Sequence, residues 1–297
     1  MSIDAERNQA LPPPTRRIVG RSTWDIPWWV VILIAGGISF LLLILTNQNY
    51  QETFNLLVFG RPDSAATEGA LLTIRITLIA FLIATILGLI AGLARVSKNV
   101  ITYNIATLYV ELIRGVPLVV LMLYVAFVLL PIVIDSITGL GTSLPLPFLQ
   151  QASIRNVSFE TRAIIALAFG YGAYEAEIFR AGIQSIERGQ MEAARSLGMN
   201  YFQAMQYVIL PQAIRRVLPP LGNDFIALLK DSSLATVLAV PELTQLGRVQ
   251  RSSTFRVYEV FNTVAFLYLT MTILLSLGVK ALERRLGRDR PTTTSIR

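Results

Sequence analysis

The stretch Ile76–Leu93 reads ITLIAFLIATILGLIAGL, eighteen residues without a charge. A helix rising ~1.5 Å per residue needs roughly 20 mostly apolar residues to cross a ~30 Å hydrocarbon core, and extension to about Ala70–Ala94 supplies them. A transmembrane barrel strand would instead alternate apolar and polar residues over about ten positions, which this run does not do. The same pattern recurs along the chain. A first span covers about Trp28–Leu45, opened by Trp24, Trp28 and Trp29, whose amphipathic rings suit a membrane–water interface. A third, about Ile105–Ile134, is interrupted by Arg114-Gly115-Val116-Pro117; further spans fall at about Thr161–Ile183, Val217–Val240 and Val260–Leu282. The sequence therefore predicts an all-α membrane protein with about six transmembrane helices.

Composition agrees. Of 297 residues 53% are hydrophobic and 15% charged, with a mean hydropathy of +0.56, more apolar side chain than a soluble domain of this size buries. The chain has no cysteine and no histidine, which removes the commonest metal ligand and the usual general base. No metal site is expected, and an intramembrane enzyme finds no nucleophile–base pair or aspartyl dyad here. The formal charge of +7 would suggest nucleic acid in a soluble protein. In a membrane protein it is the basic excess that collects on the cytoplasmic side, and no nucleic-acid partner is expected.

The organisation follows from the spans. Residues 1–26 are a polar tail with Pro12, Pro13 and Pro14 before Arg16, Arg17 and Arg21, read as disordered and cytoplasmic rather than as a cleavable signal. Residues 27–67 hold the first span and an outer loop, 68–285 the main transmembrane domain, and 286–297 a basic cytoplasmic tail. With both termini inside, the inner segments hold Arg95, Lys98, Arg188, Arg195, Arg215 and Arg216 besides the tails. The outer ones hold Arg61, Arg155, Arg162, Arg248, Arg251 and Arg256. The last three run against the positive-inside trend, and an amphipathic re-entrant element would accommodate them. No internal repeat marks the paired halves of a secondary transporter.

The most informative segment is cytoplasmic, about residues 187–211. It reads as two short helices. The first carries Glu192, Ala193, Ala194 and Arg195 and ends at Gly198, placed as a left-handed C′ residue; the second starts at Asn200 with Gln203 as a capping-box partner. Pro211 is expected to break the chain before the next span. Adjacent alanines let another backbone approach closely while Glu192 and Arg195 orient it, so the first helix is either a docking surface or a connector covering its own bundle.

The spacing Glu192-Ala193-Ala194, then Gly198, then Val208-Ile209-Leu210-Pro211 resembles the EAA signature of ABC importer permeases, with valine at position 208 in place of the usual isoleucine. Arg114-Gly115-Val116-Pro117-Leu118, Ala173–Gly182 (AYEAEIFRAG) and Lys230-Asp231-Ser232-Ser233-Leu234 resemble the polar-amino-acid branch of that family, and the likeness covers roughly residues 68–285. The resemblance implies a type I importer (binding-protein-dependent permease) fold in the bacterial inner membrane, with ATPase-coupling roles for Glu192, Ala193, Ala194, Arg195 and Gly198. It implies an ABC ATPase dimer that binds ATP and Mg, a second permease subunit, identical or paralogous, and a periplasmic or lipid-anchored amino-acid-binding protein. This chain has no Gly-x-x-x-x-Gly-Lys-Ser/Thr phosphate loop, so no cofactor is expected in it. The family usually has five core spans, which makes the first span here an N-terminal addition.

Charges inside spans cost about 2.5–3.5 kcal/mol each at a helix centre, so those kept are candidates for function. Arg114 serves either substrate or a pair with Glu111 one turn earlier. Glu177 and Arg180 lie three apart on one helix face and pair or line the path. Glu175 has no local partner; Tyr171 and Tyr174 add hydroxyls; Asn223, Asp224, Lys230 and Asp231 form a second polar helix, with Lys230 and Asp231 alternatively a pair that holds a kink. Arg75 is expected to snorkel. The competing class is an ion-coupled secondary transporter using Glu175, Glu177 or Asp224.

Overall fold

The computed structural model describes residues 28–60, 69–144, 147–151 and 153–287. The N-terminal tail, Arg61 and the last ten residues of the basic tail lie outside them. In chain order the helices are α1 (Trp28–Thr46), α2 (Gln48–Phe59), α3 (Gly69–Ala94), α4 (Val100–Arg114), α5 (Leu118–Tyr124), α6 (Leu130–Ser143) and α7 (Pro147–Gln150). They continue as α8 (Phe159–Gln184), α9 (Arg188–Ser196), α10 (Tyr201–Ala204), α11 (Leu210–Asp231), α12 (Leu243–Thr254) and α13 (Val257–Gly287). Among the described residues there is no strand.

Among the described residues, four stretches are long and apolar enough to cross a membrane: Trp28–Thr46, Gly69–Ala94, Leu118–Ser143 and Val257–Arg285. The other two expected spans correspond to α8 and α11, whose 26 and 22 residues have the length but carry charges. α8 tolerates them because it is the inner helix of the bundle, with Ala166, Leu167, Gly170, Ala173, Ala176 and Gly182 all buried.

The chain divides between Leu43 and Ile44 into two units. α1, almost wholly in the first, exposes apolar side chains such as Ile32, Ile38 and Leu42 along its length. The second unit is organised on α3 and α8. α3 exposes Leu82, Ile86, Ile90 and Leu93 and buries Ala80, Ala84, Gly88 and Ala91, so one stripe is branched and apolar and the other is small. Small residues let helix backbones touch where hydrophobic drive between helices is weak. A Cβ on Gly88 would lie 2.7 Å from Glu175 Cβ, and one on Gly92 would lie 2.7 Å from Phe179 Cβ.

Prolines shape two stretches differently from expectation. The third span is not Ile105–Ile134. Gly115 closes α4, and after Pro117 a new helix begins that runs from Leu118 to Ser143, because proline disfavours the helical region for the residue before it. Pro211, conversely, breaks nothing: residues 201–231 are helical throughout. The accommodation is a π turn. Met205–Ile209 is π-helical, and Leu210 N–H bonds to Met205 O, five residues back, just before the proline whose N–H is missing. Val125–Leu129 repeats the device before Pro131, with Leu130 N–H on Val125 O. That shift leaves Ala126 O without its usual donor, and Arg162 Nη1 supplies one at 3.3 Å. Arg162 also donates to Val157 O (3.1 Å) and Ile154 O (2.8 Å), which accounts for one of the outer arginines.

Residues 48–59, expected in an outer loop, form α2. Asn47 caps it by accepting from Asn49 N–H at 3.0 Å, and Leu57 is fully buried with Leu243, Val260, Val264 and Leu267. α2 thereby packs against α3, α12 and α13. Arg75 has a partner on α8: its Nε and Nη2 both bond Glu160 at 3.1 Å, the bidentate geometry a guanidinium prefers.

Candidate functional site

The α9–α10 segment is built as its residues require. Gly198 has φ +86°, the left-handed region closed to side chains with a Cβ at low cost. Gly198 N–H bonds Arg195 O at 3.0 Å and Met199 N–H bonds Ala194 O at 3.2 Å, the pair that closes a Schellman end. Asn200 Oδ1 accepts from Gln203 N–H at 2.9 Å while Gln203 Oε1 accepts from Asn200 N–H at 3.0 Å, a complete capping box. The two alanines separate by role. Ala194 is buried, whereas Glu192, Ala193 and Arg195 face outward. Next to α9 lies a cluster of Ile186, Ile209 and Ala213, with Met191, Met205 and Val208 packed on it, so Val208 and Ile209 of the motif help support α9. Leu197 and Phe202 beside it are 82% and 81% exposed, an apolar face with none of the described residues over it.

The ten polar residues singled out within the spans fall into three places. The first is a seam between α4, α8 and α11. Arg114 lies over the Tyr174 ring at 5.6 Å, the Tyr174 and Tyr171 rings are 6.0 Å apart, and Tyr171 Oη donates to Asp231 Oδ2 at 2.7 Å. The expected Arg114–Glu111 pair does not form; Glu111 is 3.7 Å from Arg95 instead, because α4 turns Arg114 toward Tyr174. Nor do Lys230 and Asp231 pair, since Asp231 is taken by Tyr171 and Lys230 is exposed.

The second place is the packed contact of α8 with α3. Glu175 is fully buried there, and its neighbours are Thr85 and Asp224. Both oxygens of Glu175, Asp224 Oδ2 and Thr85 Oγ1 are buried without a hydrogen-bond partner among the described residues. Such atoms are costly unless something meets them. Asn223, one residue from Asp224, is exposed.

The third place lies near the α9 end. Glu177 and Arg180 pair, as their spacing predicts, with Arg180 Nε on Glu177 Oε2 at 3.1 Å. Arg95, which sequence marks only as a basic turn residue, reaches the same carboxylate at 2.6 Å, and Arg180 Nη1 donates to Gln184 at 2.6 Å. A cleft of about 410 Å³ lies alongside, lined by Glu177, Ile178, Ala181, Gly182, Arg216 and Pro220 among others. No spacing rule could have found Arg95, whose partner is 82 residues away.

With this geometry described, comparison with known proteins is informative. The sequence profile of the family described as "Binding-protein-dependent transport system inner membrane component" matches residues 84–288. The chain belongs to this family. Among relatives, the permease is 37% identical over 219 residues to the glutamine transport system permease protein GlnP of Escherichia coli K12, covering 74% of this chain and 91% of that one. It is 34% identical over 282 residues to the arginine transport system permease protein ArgU of Corynebacterium glutamicum, covering 91% and 83%. That second alignment leaves about a tenth of this chain outside it, so it extends into the N-terminal span region. A solved structure described as an amino acid ABC transporter with histidines matches with TM-score 0.63 and 33% identity over 82% of this chain and 98% of that one. The fold is that of an importer permease, and the permease is an integral protein of the inner membrane.

Proposed function

We propose that this permease subunit carries polar amino acids through the membrane by alternating access, driven by a separate ABC ATPase dimer that seats α9 and supplied by an amino-acid-binding protein on the other face. A second permease subunit completes the pathway. The observation that carries this reading is α9 itself. Its outward residues Glu192, Ala193 and Arg195 ride on a buried Ala194, the Schellman end at Gly198 fixes its exit, and Leu197 and Phe202 stand uncovered beside it. The names of the relatives and of the structural match support the amino-acid assignment.

The test is ATP hydrolysis by the complex in proteoliposomes, with binding proteins from the same genome loaded with glutamine or arginine. Hydrolysis stimulated several-fold by one of them, and lost or uncoupled from uptake in Glu192→Lys, is the expected result. Uptake driven by an ion gradient with no co-purifying ATPase would overturn the reading in favour of a secondary transporter.

Within the membrane we assign substrate recognition to the seam and its buried neighbours. Arg114 is a cation held over a ring rather than against a carboxylate, and so suits the substrate carboxylate; Asp224 and Glu175 offer unmet acceptors for an ammonium. Tyr171, Tyr174 and Asp231 orient the seam, while Glu177 and Arg180 hold the inner end. Arg114→Gln should lower uptake by at least about tenfold, the lower end of the ~1.5–3 kcal/mol a charged hydrogen bond supplies, with ATPase activity without substrate unchanged. Equal loss of both activities would remove Arg114 from the path.

A further inference from the structure

α12 stands at the end of α3 opposite to α9. A Cβ on Gly69, the first residue of α3, would meet Leu246 of α12, whereas Gly92 near the other end packs on Phe179 of α8, shortly before α9. The helix is pinned at both ends. At its start Glu242 is fully buried and accepts from Thr244 N–H, Gln245 N–H (both 2.8 Å) and Tyr268 Oη (2.9 Å). At its close Arg256 Nη1 lies 2.8 Å from Glu52 Oε2 of α2, and the arginine, aided by Gln48, holds the Glu52 carboxyl below the usual carboxylate range. Leu243, Gly247 and Gln250 face inward; a Cβ on Gly247 would sit 2.7 Å from Val264 of α13.

The arginines against the positive-inside trend therefore divide. Arg256 is neutralised by Glu52. Arg248 and Arg251 are not: they reach only hydroxyls, Arg248 Nη1 on Thr236 Oγ1 at 3.3 Å and Arg251 Nη2 on Ser252 Oγ at 3.4 Å. No carboxylate among the described residues lies within ion-pair distance of either. Spaced i, i+3, they share one helix face. With Gln245, Val249, Ser252 and Ser253 they line an open concavity of about 460 Å³. Beyond its rim Phe255 is 86% exposed, and its backbone is held at φ +59°, a conformation a bulky residue seldom adopts. Unpaired arginines beside an exposed aromatic side chain are the composition of an interface anchor. Because α12 is immobilised before anything binds, little ordering is lost on contact.

We infer that the Arg248–Arg251 face of α12 is the seat for an acidic surface on the binding protein, with carboxylates of one lobe entering the concavity and Phe255 packing at its edge. This rests on the proposed function. The occupant follows from the observations together: the family is binding-protein-dependent, the face lies at the end away from α9, and its unmet charge calls for acids.

The experiment titrates the binding protein that stimulates the wild-type complex in proteoliposomes, at low and high salt. Arg248→Glu with Arg251→Glu should raise the half-saturating concentration at least about tenfold and flatten its salt dependence, since attraction between exposed charges is screened by salt. Basal ATPase should be unchanged. Arg248→Lys with Arg251→Lys keeps the charge and should stay within about threefold of wild type. An unchanged half-saturation in the glutamate variant would overturn the inference and leave the proposed function standing, and so would altered affinity for anionic vesicles alone. A lysine variant as impaired as the glutamate one would assign the effect to shape rather than charge and would overturn it too. Failure of every binding protein to stimulate the wild type would overturn both.

Discussion

Replacing Gly198 by valine is expected to lower uptake at least about tenfold while the complex still assembles. The site has room, since a Cβ there meets nothing within 4 Å, so volume is not the cause. The backbone is. At φ +86° an L-residue costs roughly 1–2 kcal/mol and a β-branched one more. Relief of that strain opens the bonds from Gly198 and Met199 to Arg195 and Ala194, and the C-terminal turn of α9 unwinds. A shift of 1–2 kcal/mol changes a two-state population about 5- to 30-fold, which sets the scale of the loss. Asparagine tolerates the left-handed region, so Gly198→Asn should keep uptake within about threefold of wild type. The check compares uptake per ATP hydrolysed across the three proteins; equal coupling in the valine variant would mean that the turn is not what transmits force.

The second large effect is expected at Gly88. A Cβ there would come within 2.7 Å of Glu175 Cβ and 3.1 Å of Ala176 N and Gly172 O, so backbone as well as side chain stands in the way. Overpacking a tight contact costs about 1–3 kcal/mol for small insertions. Gly88→Ala should therefore lower the melting temperature of the detergent-solubilised protein by several degrees, and Gly88→Leu should leave little folded protein in the membrane. Gly36→Leu is the control, because a Cβ at Gly36 meets nothing within 4 Å. Normal melting of Gly88→Leu would show that α3 and α8 can part without loss.

Much of this was legible before the structure. Apolar runs announce helices because lipid leaves the backbone few alternatives, and local signals were read correctly where both partners are near in sequence. Gly198 does take the left-handed turn, Asn200 and Gln203 do close a capping box, and Glu177 does pair with Arg180. The contacts that the sequence does not announce share a cause. Arg75 with Glu160, Arg95 with Glu177 and Arg162 with Ala126 O are contacts between distant residues, set by how α3, α5–α6 and α8 pack. Pro211 misled for another reason: a missing N–H can be absorbed by a π turn instead of a break, and nothing in the proline itself says which. α2 was missed because its single polar-flanked turn pattern is short and its burial depends on α12 and α13. The roles of the ten charged and polar residues in the spans rest on the proposed experiments.

The glycine contact of α3 with α8 also has a mechanical side. Helices that touch backbone to backbone have no side-chain layer between them to yield, and protein interiors compress little. The two helices therefore act as one beam. α3 alone, with 26 residues at ~1.5 Å each, is about 39 Å long. At one end of the beam the chain passes from Ser185 into α9 within three residues; at the other, Gly69 bears on Leu246 of α12. In the proposed cycle, a push on α9 would reach α12 through this contact, and a leucine at position 88 would part the two helices in the middle.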